Sequence, residues 1–546
     1  MNINPIIEKI LSNRGIEGEE LQEFLSLRPQ KMYDPFLLPS MEEGVDLILS
    51  AIENDEKICI YGDYDADGVT SVSIMMDVLS NLTDNLCWHI PSRFNEGYGL
   101  NCEALKEIRE DGCDLVVTVD CGSVSKEEVE YGESIGLTML VTDHHTVTDK
   151  RAGCPIINPV LPESTYPFKY LAGAGVAFKL AQAIVQVTGL PKQVLTRVMD
   201  LAALGTIGDI VPLVDENRTI AKYGLRLINV TERKGLIELI SRTGLQVGNV
   251  KSENISFIIV PHINASGRMG SADHAARLMQ TKDQQTAEEE SGFLIEYNKE
   301  RKSKQNTLYK ACVDAVEEKY IHDHMVLLQL TGAHQGITGI VAGKLKERYE
   351  RPCLIASQVE DGLYKGTGRS VAGINLYDLL KKAEPVFEGF GGHSAACGFT
   401  IKKENIPQLR KILKDETDRL AQEDISLFKE PVVPDISLTP DQLDMDFIKG
   451  QELMEPFGRD NDKPKIAIRV NADNLKRMGN QGQYLSFYGR SASGNGGISC
   501  VVFKNADSVQ QVLMAPGVTE IVGTVSNNSF RGKDRLQMMV LKAEKI

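Results

Sequence analysis

The side chains best suited to chemistry follow short apolar runs. Asp63, Asp65 and Asp67 come after KICIYG (57–62) in YGDYDADGVT, Asp120 after DLVVTV (114–119) in VTVDCGS, and Asp143, His144 and His145 after TMLVT (138–142) in VTDHHT. Asp209 stands in ALGTIGDIVPL, an acid within an apolar stretch, where buried charge needs a partner. Carboxylates gathered in one place repel one another and rise in pKa unless a cation neutralises them. Asp oxygens mixed with imidazole nitrogen suit Mn2+ or Mg2+. The pattern therefore predicts a divalent metal site. DYDADG also matches the start of a calcium-binding EF-hand loop, but the twelfth position counted from Asp63 is Ile74, where a bidentate Glu is required, and a β-run precedes it instead of a helix.

The elements that must position these groups alternate. Between residues 57 and 142 the four β-type runs KICIYG, LCWHI, DLVVTV and TMLVT are separated by stretches long enough for helices, such as VTSVSIMMDVLSNL. Alternation of this kind predicts an α/β domain with a mostly parallel sheet, whose strand ends of one kind share an edge and a ligand crevice. The acidic motifs would converge there.

Features suited to phosphate lie elsewhere. No GxxxxGK[ST] motif is present, so a P-loop hydrolase is disfavoured, and GAGVAF (173–178) fails the full GxGxxG pattern. TGAHQGITG, GTGRS and GFGGHSAACG place glycines beside His334, beside Arg369 and Ser370, and around Gly391, Gly392 and His393. Glycine turns that expose backbone N–H groups next to a bidentate Arg suit an anionic phosphodiester. Arg93 in IPSRFNEGYG and Arg268 in INASGRMG are further candidates. His89, His262, His274, His322 and His324 receive no role on spacing grounds.

The whole chain, 546 residues and 60.2 kDa, exceeds what one core usually supports, so several domains are expected. We read an N-terminal helical extension over 1–50, a catalytic domain with a helical insert over 51–283, a connector helix over 284–320, a second, smaller α/β domain over 321–425 and an all-β, OB-like domain over 426–546. The connector follows from a stretch without proline and rich in Glu, Lys and Gln. A formal charge of −16 argues against a basic nucleic-acid coat protein and confines positive potential to a groove. Ten scattered cysteines without a CxxC pair read as reduced thiols. With no long apolar run and no leader-like start, a cytoplasmic protein away from membranes is expected.

DYDADG, the VTVDCGS aspartate, VTDHH and the GTIGD aspartate occur in the order of the four motifs of the DHH phosphoesterase superfamily, and GTGRS with GFGGHSAACG resembles its DHH-associated domain. IPSRFNEGYG, INP (157–159), LAGAGVAFKL, HQGITGIVAGKL and the terminal β domain are similar to the branch of single-stranded-DNA-specific exonucleases. The likeness runs over nearly the whole chain. It implies a two-metal nuclease that degrades single-stranded DNA from the 5′ end, in recombination and repair.

Carried over by motif, Asp65, Asp67, Asp120, His144 and Asp209 are implied metal ligands for two Mn2+ or Mg2+ ions. Asp63 is implied as a further ligand or as a support for one. His145 would contact the scissile phosphate and Asp143 would orient the His pair. His334, Arg369, Ser370 and the Gly391, Gly392, His393 segment would hold DNA phosphates, as would Arg93 and Arg268. Some members carry His where this chain has Tyr61, so a ligand at that position is absent. A monomer is expected, with room for a helicase and a single-strand-binding protein as partners. The competing readings are a nanoRNase, a cyclic-dinucleotide phosphodiesterase or a pyrophosphatase on the same catalytic lobe, and a non-catalytic repair or replication scaffold.

Overall fold

In this computed structural model, residues 3–28, 30–93, 96–97, 99–148, 150–492, 496–528 and 535–546 are described; Phe94, Asn95 and Tyr98 of IPSRFNEGYG lie outside them. The chain divides into two compact units. One comprises Met1–Asn298, Asp435–Ala467 and Thr524–Gln537, and the other Lys299–Pro434, Ile468–Gly523 and Met538–Ile546.

The first unit is built on a parallel sheet of β1 (Ile58–Tyr61), β2 (Leu86–His89), β3 (Leu115–Val119), β4 (Thr138–Thr142) and β5 (Ile156–Ile157), in the order β2-β1-β3-β4-β5. β5 is two residues long, too short to announce itself by periodicity. β1 and β3 are buried along their whole length, as continuous apolar strands are when helices cover both faces. Alternate residues separate the two cores. Ile58, Ile60 and Val117 pack with Val72, Val176 and Leu201 from helices Ala66–Leu79, Gly173–Thr188 and Gln193–Gly208. Cys59, Val116 and Val141 pack with Leu105 and Val129 from helices Cys102–Glu110 and Lys126–Ser134. The chain leaves β1 for β2 on one side and returns to β3 on the other, so the topology switches between β1 and β3. Ligand crevices open at the carboxyl ends of strands beside such a switch.

Charges inside this unit are paired with care. Lys179 Nζ meets Glu216 Oε1 at 2.7 Å with both side chains wholly buried, and Tyr166 Oη donates to Glu216 Oε2 at 2.5 Å. The Arg218 guanidinium stacks on Phe24 and donates to the carbonyls of Phe24 (2.9 Å), Met454 (3.1 Å) and Glu455 (3.2 Å). Lys222 Nζ donates to Phe24 O and Leu453 O, each at 3.3 Å. Arg14 makes a two-point bridge to Asp435 at 2.8 and 3.0 Å. One buried cation thus ties together stretches of sequence more than 400 positions apart.

Residues 284–320 form one helix, Gln284–Lys319, as their composition predicts. The second sheet holds β6 (Val326–Leu330), β7 (Cys353–Glu360), β8 (Leu363–Arg369), β9 (Phe387–His393) and β10 (Ala396–Lys402), in the order β6-β7-β8-β10-β9; β6 and β7 are parallel and the other pairs antiparallel. This corrects the expectation of glycine turns at GTGRS and GFGGHSAACG, which lie mostly in strands β8, β9 and β10. Gly366, Gly368 and Gly392 sit where a side chain would crowd the sheet, whereas Gly389 and Gly391 face open space. A Cβ on Gly366 would lie 2.0 Å from the Phe399 ring.

The third sheet, β11 (Ile436–Leu438), β12 (Lys465–Met478), β13 (Tyr484–Ser491), β14 (Gly497–Val502), β15 (Thr519–Asn527) and β16 (Leu536–Lys545), runs β11-β12-β13-β14-β16-β15. β15 also pairs with β12, which closes the OB-like barrel and leaves little free edge. Among the described residues no helix is long and apolar enough to cross a membrane.

Candidate active site

The carboxyl ends of β1, β3 and β4 deliver the three expected motifs to one crevice. After β1 the chain turns into helix Ala66–Leu79, whose N-cap is Asp65; its Oδ1 accepts from the N–H groups of Asp67 (2.9 Å) and Gly68 (3.2 Å). Asp67 is buried in the first turn of that helix, facing the start of another. Its Oδ2 accepts from Gly173 N at 2.6 Å and its Oδ1 from Ala174 N at 2.9 Å, so the positive end of helix Gly173–Thr188 holds the carboxylate. Asp120, directly after β3, has φ 62°, a left-handed conformation that Asp tolerates better than most residues and that lifts the carboxylate out of the strand line. Asp209 caps the C-terminus of helix Gln193–Gly208, with its N–H on Gly205 O at 2.8 Å.

His144 sits at the centre. Its Nε2 lies 3.1 Å from Asp120 Oδ1, 3.7 Å from Asp209 Oδ2 and 3.8 Å from Asp67 Oδ2. Three sets of ligand atoms each fall within 4.8 Å of one another: Asp63, Asp65 and Asp120; Asp67, His144 and Asp209; and Asp120, His144 and His145. Asp63 Oδ1, Asp120 Oδ1 and His144 Nε2 are buried with no hydrogen-bond partner among the described residues. Buried polar atoms are rarely left so, and orphans of this chemistry aimed at one space fit divalent cations.

The electrostatics agree. Burial first, then the neighbouring carboxylates, raise Asp63 and Asp209 to about 8 and Asp67 to about 7, and push Asp120 well above the usual range. Burial, helped by the charge of His145, lowers His144 to about 4, which keeps a neutral imidazole able to ligate. His145 behaves oppositely. Burial would lower it, but its Nδ1 contact with Asp143 Oδ1 at 2.8 Å raises it to about 9, so it is cationic at neutral pH. Burial would raise Asp143 as well, yet the two histidines and the Ser123 N–H hold it far below the carboxylate range. Asp143 Oδ1 also accepts from His144 N (2.7 Å) and His145 N (3.1 Å), which fixes the backbone of the pair.

Several supports were not legible in the motifs. Gly173 and Gly205 make room for the acids, since a Cβ on either would lie 2.5 Å from Asp120 Oδ1 or Asp67 Oδ1 respectively. Asn158 Nδ2 donates to His145 O and Ser123 Oγ, both at 3.0 Å, and Asn264 Oδ1 accepts from Ala66 N at 2.7 Å. LAGAGVAFKL and INP marked two of these places without a role. Tyr61 is buried and donates to Gly99 O at 3.0 Å.

Arg93 lies over the Tyr64 ring, 5.3 Å from its centroid, and Arg268 at the end of helix Val260–Met269 bears electrostatically on the same tyrosine. Both belong to the first unit. In the second unit, Arg369 and His393 stand at one level of the sheet as the β8 and β9 partners of Ala396. Ser370 follows, with a buried hydroxyl that has no hydrogen-bond partner among the described residues. Gly391 and Gly392 pair with Gly398 and Cys397 on β10. His334 caps helix Gln335–Tyr349 through Nδ1, which accepts from Gly336 N at 3.2 Å, and a Cβ on Gly339 in that helix would lie 3.1 Å from Arg369 Nη2.

Comparison with known proteins places this arrangement. The model of the DHH family N-terminal domain matches residues 57–206, the DHHA1 domain 322–418 and the RecJ OB domain 434–542. Fold and site thus define a DHH-type protein. The single-stranded-DNA-specific exonuclease RecJ of Bacillus subtilis is 36% identical over 552 residues, covering 100% of this chain and 68% of that protein. RecJ of Escherichia coli is 29% identical, over 83% of this chain and 82% of its own. The crystal structure of Thermus thermophilus RecJ in complex with Mn2+ superposes with a TM-score of 0.83 at 28% identity, over 100% of this chain and 76% of that one. The chain belongs to the RecJ family.

Proposed function

We propose that the chain hydrolyses single-stranded DNA as an exonuclease, from the 5′ end, with two Mn2+ or Mg2+ ions as cofactors, in recombination and repair. The observation that carries this is the meeting of four separate motifs around three buried ligand atoms that make no hydrogen bond among the described residues. The names of the relatives, single-stranded-DNA-specific exonucleases, support the substrate, and the Mn2+ and Mg2+ in the Thermus thermophilus structures support the cofactor.

Asp65, Asp67, Asp120, His144 and Asp209 would hold the metal, with Asp63 beside them. Bound there, the ions would activate a water and stabilise charge on the attacking and leaving oxygens. The protein does the rest. The Gly173 and Ala174 N–H groups hold Asp67, and Asp143 turns the His145 ring and keeps it cationic for the scissile phosphate. Arg369, Ser370, His334, Gly391, Gly392 and His393 hold DNA phosphates, as do Arg93 and Arg268.

On this reading residues 51–283 are the catalytic domain, 321–425 a substrate-binding domain and 426–546 a strand-binding barrel, with 1–50 a helical extension and 284–320 a connector. The ten unpaired cysteines support a cytoplasmic location. We place the protein there as a monomer that cooperates with a helicase and a single-strand-binding protein.

The test is digestion of a long single strand, labelled at the 5′ or the 3′ end, with Mn2+. Immediate release of labelled mononucleotide from the 5′ label alone is expected. Turnover confined to dinucleotides or pyrophosphate would overturn the proposal in favour of a small-substrate phosphoesterase.

A further inference from the structure

Three of the ten cysteines meet away from the acidic crevice. Cys87 on β2 is the register partner of Cys59 on β1, four residues before Asp63. Cys113 stands just before β3, and its Sγ lies 3.4 Å from Cys87 Sγ. Cys59 and Cys113 are buried, whereas Cys87 is half-exposed. The three sulfurs do not form a metal-binding group among the described residues, so the contact is one between two thiols backed by a third. Hydrogen bonds from Cys113 and then Cys59 lower the pKa of Cys87 against its burial, with help from the Lys57 ammonium. A half-exposed thiol with thiolate character beside a buried second thiol is how reactive pairs are built.

We propose that Cys87 and Cys113 form a peroxide-reactive dithiol, a modification site on the edge strand of the first sheet that is separate from hydrolysis. The Cys87 thiolate attacks one oxygen of hydrogen peroxide, the O–O bond breaks, and the departing hydroxide takes a proton to leave as water. Cys87 is then a sulfenic acid. The Cys113 sulfur attacks the Cys87 sulfur, the S–O bond breaks, a second water leaves, and the two thiols have given up two electrons to the peroxide. The product is a disulfide between two residues separated by 26 in sequence. A cellular thiol reduces it back by exchange. Cys102 and Cys154, also half-exposed, lack a thiol partner among the described residues and serve as internal standards.

The experiment treats the full chain, in chelator, with one equivalent of hydrogen peroxide. Remaining thiols are then blocked with N-ethylmaleimide and the digest is read by mass. We expect a Cys87–Cys113 cross-linked peptide pair formed at least tenfold faster than oxidation at Cys102 or Cys154, the loss of two of the ten thiols, and full reversal by dithiothreitol. In Cys113→Ser, dimedone should trap a sulfenic acid on Cys87; in Cys87→Ser the fast phase should vanish. Oxidation of Cys87 at the rate of the two standards, or fast oxidation without the cross-link, or a link to Cys59 in its place, would overturn the proposal. The wild-type result alone decides if either variant fails to fold.

Discussion

Gly173 and Asp120 share a space that only a hydrogen can fill: a methyl group on the glycine would lie 2.5 Å from the Asp120 carboxylate oxygen. The same glycine gives its N–H to Asp67 at 2.6 Å, so one backbone position sets two acids. Gly173→Ala should therefore displace Asp120 while keeping the helix, for which Ala is a better former. We predict loss of Mn2+ binding by titration calorimetry and at least a hundredfold fall in nuclease rate, with the circular dichroism spectrum unchanged. An alanine variant that binds Mn2+ normally would show that the crevice relaxes without cost.

Asp120→Ala is predicted to abolish hydrolysis yet to raise the melting temperature of the chelator-treated protein. Asp120 is buried among like charges, its pKa pushed well up by burial and then by Asp67 and Asp65, so its removal relieves strain that function requires. Differential scanning fluorimetry with and without Mn2+ reads both effects. The wild type should gain stability from the ion and the variant much less. A variant that keeps full activity on labelled strands would sink the site.

Glu216→Ala removes one partner of a wholly buried ion pair and strands Lys179 beside Tyr166. The expected cost is about 3–5 kcal/mol in urea unfolding, because an uncompensated buried charge is left behind. Lys179→Met together with Glu216→Leu should recover much of that loss. If the single variant unfolds at the wild-type midpoint, the pair has no structural weight.

Lys222 offers a pH signature away from the acids. Burial, then the charge of Arg218, lowers its pKa to about 7 in the folded protein from an ordinary 10.5. Below pH 7 both folded and unfolded chains carry the proton and the full burial cost is felt. Between pH 7 and 10.5 the unfolded chain binds more protons, so stability rises with pH. Relative to Lys222→Met, the wild type should gain roughly 1–3 kcal/mol between pH 7 and 10. A difference that is flat with pH would place the amine in water.

The convergence of acids could be read from the chain because each motif follows an apolar run, and parallel strands present their ends together. Asp209 was legible for another reason, an acid in an apolar stretch. What stayed hidden depends on contacts between distant segments. Nothing local marks Gly173 as the neighbour of Asp120, or Asn158 as the residue that anchors the carbonyl of His145. The glycines of GTGRS and GFGGHSAACG misled for the opposite reason. Glycine serves turns and crowded strands alike, and only the Phe399 ring over Gly366 distinguishes the two.

The three carbonyls that receive Arg218 belong to Phe24, Met454 and Glu455. On a ribosome, the guanidinium emerges more than two hundred codons before two of its acceptors exist. Until then only the Phe24 carbonyl is there to receive it. These contacts can form only once the intervening residues 299–434 have been synthesised. Chain order thus makes one buried cation wait for acceptors that are synthesised long after it.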